Sequence, residues 1–179
     1  MKNKILNNLQ DIKNHREPPR ELIKLIIDNF SSGKKKVAII EIESLIKDYP
    51  LAPLLFNVSG TFYKSNGQLD IAVTKFEQAL VLAPDYAEAH YNLGVTLREL
   101  DKIEEAIKSY KKAISIKNAY PNAHFNLGNA LLSLKQYDGA IKHFESTIAF
   151  NPKFAKAYNN LGLVHKLLGK NQEAGKKFD

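Results

Sequence analysis

The sequence predicts an all-α protein, an α-solenoid of antiparallel helix pairs with a period of 34 residues. Three observations predict it. Ala38, Ala72, Ala106, Ala140 and Ala174 fall at equal intervals, and a bulky apolar residue follows each by four places: Ile42, Phe76, Tyr110, Phe144 and Phe178. Gly60, Gly94, Gly128 and Gly162 keep the same spacing. Pro50, Pro84 and Pro152 close three of the repeats, with Asn118 in place of the proline of another. A fixed period of about 20–50 residues marks an array of small units that bury their apolar faces by stacking.

The elements follow in order. Residues 1–18 stand outside the period. Ile5, Leu6, Leu9 and Ile12 fit a short amphipathic helix ended by Pro18-Pro19, and a mobile basic tail is the other reading. The units then read 19–52, 53–86, 87–120, 121–154 and an incomplete 155–179. The first is degenerate, because Leu25-Ile26 replaces the small-residue step. Within a unit the first helix spans about fourteen residues. In the third it runs from Ala87 to Leu100, where Tyr91, Leu93, Val95, Leu97 and Leu100 recur at helical spacing. Leu93-Gly94, Leu127-Gly128 and Leu161-Gly162 repeat intact, and Ser59-Gly60 is a weaker copy. The small residue is expected to admit the second helix, a side chain there colliding with the alanine opposite. Gly33, Gly67 and Gly169 are expected where the first helix stops in a left-handed residue. Proline closes the second helix, because it cannot donate the next backbone hydrogen bond.

Leu-Gly, then Ala-x3-Phe, then Pro at this period resembles the tetratricopeptide repeat family across residues 19–179. The resemblance implies a right-handed superhelix whose first helices line a concave groove. It implies a scaffold for protein–protein interaction, binding an extended peptide or partner segment, with no catalytic site. The last unit stops inside its second helix, at Lys176-Lys177-Phe178-Asp179. Two explanations compete: a longer protein continues the chain, or another copy covers the open end and forms a homo-oligomer. The units look like bacterial arrays that precede catalytic domains such as glycosyltransferases, sulfotransferases and prolyl hydroxylases.

Composition narrows the function classes. Of 179 residues 44% are hydrophobic and 25% charged, enough apolar surface for a packed core. The net charge of +7 raises nucleic acid or an acidic membrane as partner. The basic excess, however, sits toward the two ends of the chain, and no nucleic-acid-binding motif accompanies it. No cysteine is present, which removes disulfides, thiol catalysis and thiolate metal sites. No apolar run reaches the length of a signal peptide core or a membrane helix. A cytoplasmic protein with no cofactor, no bound metal, no nucleic-acid partner and no membrane contact is the expectation.

The candidate site is a file of asparagines. Asn92, Asn126 and Asn160 take the sixth position of successive units, and Asn57 lies one place earlier in the second. Helical geometry turns that position about 100° from its neighbour and away from the buried fourth and seventh. A carboxamide donates and accepts, so a file of them suits the backbone of an extended peptide. Similar asparagine ladders line the repeat region of O-linked N-acetylglucosamine transferases. Tyr91, Phe125, Asn129, Lys156 and Asn159 flank the file, the two aromatics offering exposed apolar contacts. Some family members clamp a chaperone's C-terminal carboxylate with lysine at the fifth position. Here the fifth positions are Asn57, Tyr91, Phe125 and Asn159, and only Asn129, Lys156 and Asn160 match, which disfavours that ligand. His90 and His124 open their units one period apart, too far to share a metal, while His143 and His165 are expected on other faces.

Overall fold

The structure, a computed structural model, describes residues 17–175, with side chains as far as Gly169. The expected lead-in helix of Ile5, Leu6, Leu9 and Ile12 lies outside the described residues. Among the described residues there are nine α-helices and no strand: α1 (Arg20–Ser31), α2 (Lys35–Asp48), α3 (Pro53–Ser65), α4 (Leu69–Leu82), α5 (Ala87–Glu99), α6 (Ile103–Ile116), α7 (Pro121–Ser133), α8 (Tyr137–Phe150) and α9 (Ala155–Gly175). The chain forms two compact units, residues 1–96 and 97–179, divided inside α5.

In the first unit α1, α2, α3 and α4 pack consecutively. Ile23, Ile26, Ala38, Ile42, Leu55 and Phe62 form its core, and Phe30 stacks on Phe62 with ring centroids 4.0 Å apart. One carboxylate ties three of these helices together. Glu43 on α2 accepts from Ser59 Oγ of α3 at 2.6 Å and from Lys75 Nζ of α4 at 2.7 Å. In the second unit α6 packs on α7, α7 on α8, and α9 on both α8 and α7. Leu127, Ala140, Phe144 and Val164 are fully buried there.

The glycines fit closely under the second helix, but against a different residue from the one expected. A Cβ on Gly60 would lie 2.7 Å from the Phe76 ring, and one on Gly128 would lie 2.7 Å from the Phe144 ring. The aromatic four places beyond the alanine supplies the atoms nearest the notch, at Gly128 the Phe144 ring where Ala140 was expected. Helical rise explains this, because the ring reaches where a methyl group cannot. Gly162 has no described residue within 4 Å of where a Cβ would stand.

The turn inside each hairpin is built one way four times. Lys34, Gln68, Lys102 and Gln136 donate backbone N–H to the carbonyls of Asn29, Tyr63, Leu97 and Leu131, at 2.9 to 3.0 Å. The residue before each donor is left-handed: Gly33 (φ 91°), Gly67 (φ 77°), Asp101 (φ 61°) and Lys135 (φ 58°). Glycine is the inexpensive choice at such a position, yet the closing hydrogen bonds hold Asp and Lys there too. The expected fifth turn at Gly169 is absent. Residues Ala155–Gly175 form one 21-residue helix, which therefore contains Ala174. Glycine permits a turn without imposing one, and by running on the helix keeps its i→i−4 hydrogen bonds.

The second helices stop as the prolines dictate. Tyr49, Ala83 and Asn151, each before a proline, take φ of −132°, −139° and −143°, outside the α region. Lys117, before Asn118, reaches the same geometry with φ −126°. Proline enforces a stop that the repeat makes without it.

Candidate functional site

The candidate asparagines lie on the first helices of the hairpins: Asn57 on α3, Asn92 on α5, Asn126 and Asn129 on α7, and Asn159 and Asn160 on α9. Within each unit two carboxamides find each other. In the first unit Asn92 Nδ2 donates to Asn57 Oδ1 at 3.0 Å, and Asn57 Nδ2 donates to the Tyr86 hydroxyl at 3.2 Å. Asn57 is only 9% exposed, so this chain satisfies a carboxamide that water barely reaches. Burial pushes the Tyr86 phenol above its ordinary pKa; the Asn57 hydrogen bond opposes the rise and the Glu88 carboxylate adds to it. Thr61 and Thr96 donate to the carbonyls of Asn57 and Asn92 at 3.0 and 2.8 Å, one turn back on the same helices.

In the second unit Asn160 Nδ2 donates to Asn129 Oδ1 at 2.6 Å. Two of the three residues that match the carboxylate clamp are therefore bonded to each other. Asn126 is half-buried, and Lys156 and Asn159 are exposed. The two aromatics differ from expectation, since neither Tyr91 nor Phe125 is fully exposed. Phe125 packs against the rings of Phe154 and Phe144, with centroids 4.9 and 5.8 Å away. An apolar ring beside an aromatic core gains more from that contact than from water. On α9 Tyr158 is left open, at 49% exposure.

Spacing alone missed two residues. Tyr86 anchors the first amide pair, and the period held a signal for it: Tyr86, Tyr120 and Phe154 recur just before the first helix of their units. His143 is the other. It faces His124 across the hairpin with Nδ1 atoms 3.0 Å apart, which corrects the expectation that it lies elsewhere. Residue spacing gives a direction on one helix, and the facing helix decides what stands there. His90 and His124 share a separate task. Each places Nε2 against the carbonyl six residues earlier, Pro84 O at 2.8 Å and Asn118 O at 3.1 Å, and so ties down the loop before its helix. Among the described residues no three His, Asp or Glu side chains gather as metal ligands, and no helix is long and apolar enough to cross a membrane.

Comparison with known proteins yields one family and a set of similar folds. A family profile described as TPR repeat matches residues 60–101, 96–135 and 128–169. The crystal structure of MamA is similar at 29% identity and a TM-score of 0.76, over 84% of this chain and 88% of that one. The structure of MamA 41-end from Desulfovibrio magneticus RS-1 is 19% identical with a TM-score of 0.75, over 87% and 88% of the two chains. The first TPR of Spaghetti (RPAP3), bound to the HSP90 peptide SRMEEVD, is 21% identical with a TM-score of 0.64, over 65% of this chain and 93% of that one. No curated protein sequence matches.

Proposed function

The chain belongs to the TPR repeat family, and from that premise we propose that it is a non-catalytic scaffold that grips an extended segment of a partner protein. The contact surface in this reading is the asparagine-bearing face of the first helices, taken unit by unit. The observation that carries it is the pairing of carboxamides. With one N–H held by Asn57, the Asn92 side chain is oriented before any ligand arrives. Asn160 is held by Asn129 in the same way. A fixed carboxamide offers its remaining donor and acceptor to a peptide backbone at little entropic cost. Tyr91 and Phe125 line the approach as half-buried rings, and Asn126, Asn159 and Lys156 add polar contacts. The Spaghetti TPR, a similar fold, is one that holds a peptide. A cytoplasmic location is part of this proposal, in keeping with a chain that has no cysteine to oxidise. The partner in this reading is a protein, not nucleic acid or membrane.

The test is an array of unrelated extended peptides, each also made with N-methylated backbone. Recognition through the backbone predicts that captured peptides survive side-chain scrambling and lose binding on N-methylation. It also predicts at least tenfold weaker capture by the joint replacement of Asn92, Asn126 and Asn160 with Ala, at unchanged helix content by circular dichroism. Equal capture by that variant removes the asparagine face from the function.

One observation favours a second reading. On α9 no described residue covers Gly162, while Tyr158 and Leu163 are 49% and 46% exposed. Where Gly60 and Gly128 each lie under a phenylalanine ring, the described residues leave this face open to a helix from another copy of the chain.

A further inference from the structure

His124 on α7 and His143 on α8 both lie in the second unit, and one backbone oxygen dictates their protons. The Asn118 carbonyl, 3.1 Å from His124 Nε2, can only accept, so that nitrogen carries hydrogen. A neutral imidazole has one N–H, which leaves a lone pair on His124 Nδ1. The 3.0 Å gap to His143 Nδ1 is then closed by a proton on His143, donated to His124. Each ring is locked in a different tautomer. His124 is 5% exposed, and Phe150 covers it with ring centroids 5.5 Å apart.

We propose that this imidazole pair is an acid-released latch, fastening the start of α7 to α8 and holding the 117–120 loop against α7. A first proton has one vacant lone pair to take, on His143 Nε2. A second must enter His124 Nδ1, where it sets two N–H groups face to face and breaks the hydrogen bond. The charged groups acting on the pair are cations. Lys111 reaches His143 from α6 and Lys142 from α8, and among the described residues none of the groups acting on either ring comes from α9. Burial, then His124, then these lysines hold His143 down to about 4, and burial lowers His124 against the pull of the Asn118 hydrogen bond.

An opened pair takes up protons that the closed pair refuses. Closure is therefore complete above the ordinary histidine value of 6.5 and weakens as pH falls toward about 4. The opening constant rises by about tenfold per pH unit for each additional proton bound. The position one period earlier than His143 holds Ser109, and the one before that Lys75, so the device belongs to a single hairpin.

Imidazole nitrogen NMR on the full chain tests the pairing. At neutral pH it should show an Nε2–H tautomer for His124 and an Nδ1–H tautomer for His143, with His143 still neutral at pH 5. Amide exchange, corrected for its intrinsic pH dependence, then reads the opening of residues 117–126 between pH 6.5 and 4.5. Wild type should open at least tenfold more readily at the lower pH. His143→Asn keeps a donor near the Nδ1 position without titrating, and should show a shallower rise. His124→Phe, which places at 124 the residue found two periods earlier at Phe56, leaves only His143 to titrate and should also show a shallower rise. Two Nε2–H tautomers, or an opening rise in His124→Phe as steep as that of wild type, overturns the latch. Should His124→Phe fail to fold, the tautomers and the His143→Asn slope still decide.

Discussion

The Asn57 carboxamide uses its oxygen on Asn92 and an N–H on Tyr86, in a place water hardly enters. Removing one member of such a chain leaves the other's buried group without a partner. Asn92→Ala should therefore lower stability by about 1–3 kcal/mol, the usual cost of an orphaned buried polar group. Changing Asn57 to Leu in that background should recover part of the loss, because both ends of the bond are then gone. Urea denaturation of the single and double variants measures the coupling, and strictly additive losses would contradict it. At this scale the sequence was half legible. A period of 34 pointed to Asn92, Asn126 and Asn160, and Asn57 was found one place out of step. That these amides turn toward one another depends on how facing helices meet. Spacing along one helix does not contain that information, and for the same reason His143 escaped notice.

Helix by helix, the repeat arithmetic carries further. The boundaries of α3 through α8 follow the expected positions of proline, turn and small residue closely. The turns at Asp101 and Lys135 were legible only as copies of Gly33 and Gly67, since neither residue type favours a left-handed backbone. The run of α9 through Gly169 was not legible, because a glycine serves both outcomes. Size complementarity between paired helices yields a contrast. Gly128→Ala places a methyl group against the fully buried Phe144 ring and should cost about 1–3 kcal/mol. Gly162→Ala meets no described residue and should raise stability by up to about 1 kcal/mol through helix propensity. Thermal unfolding of the two variants should move in opposite directions; a matching drop in both would mean that backbone freedom, not the aromatic ring, governs these positions.

For the molecule as a whole, the open face of α9 bears on how copies of the chain behave. If Tyr158, Gly162 and Leu163 receive a second copy, light scattering across a concentration series should show growing mass. Leu163→Lys should return it to the monomer value, and a constant monomer mass in wild type rules the contact out. The fold class was readable from spacing, since every 34-residue block repeats the same few demands on side-chain size. Partner identity was not, because the proposed contact of amides with a peptide backbone would leave no trace of what the peptide says. The glycine and the ring that covers it, Gly60 with Phe76 and Gly128 with Phe144, come from the two helices of a single block. Their fit is inherited together whenever such a block is copied or exchanged. A gene of this kind can grow or shrink by whole blocks without re-matching that contact, whereas a crossover between the glycine and its ring would join halves that no longer fit.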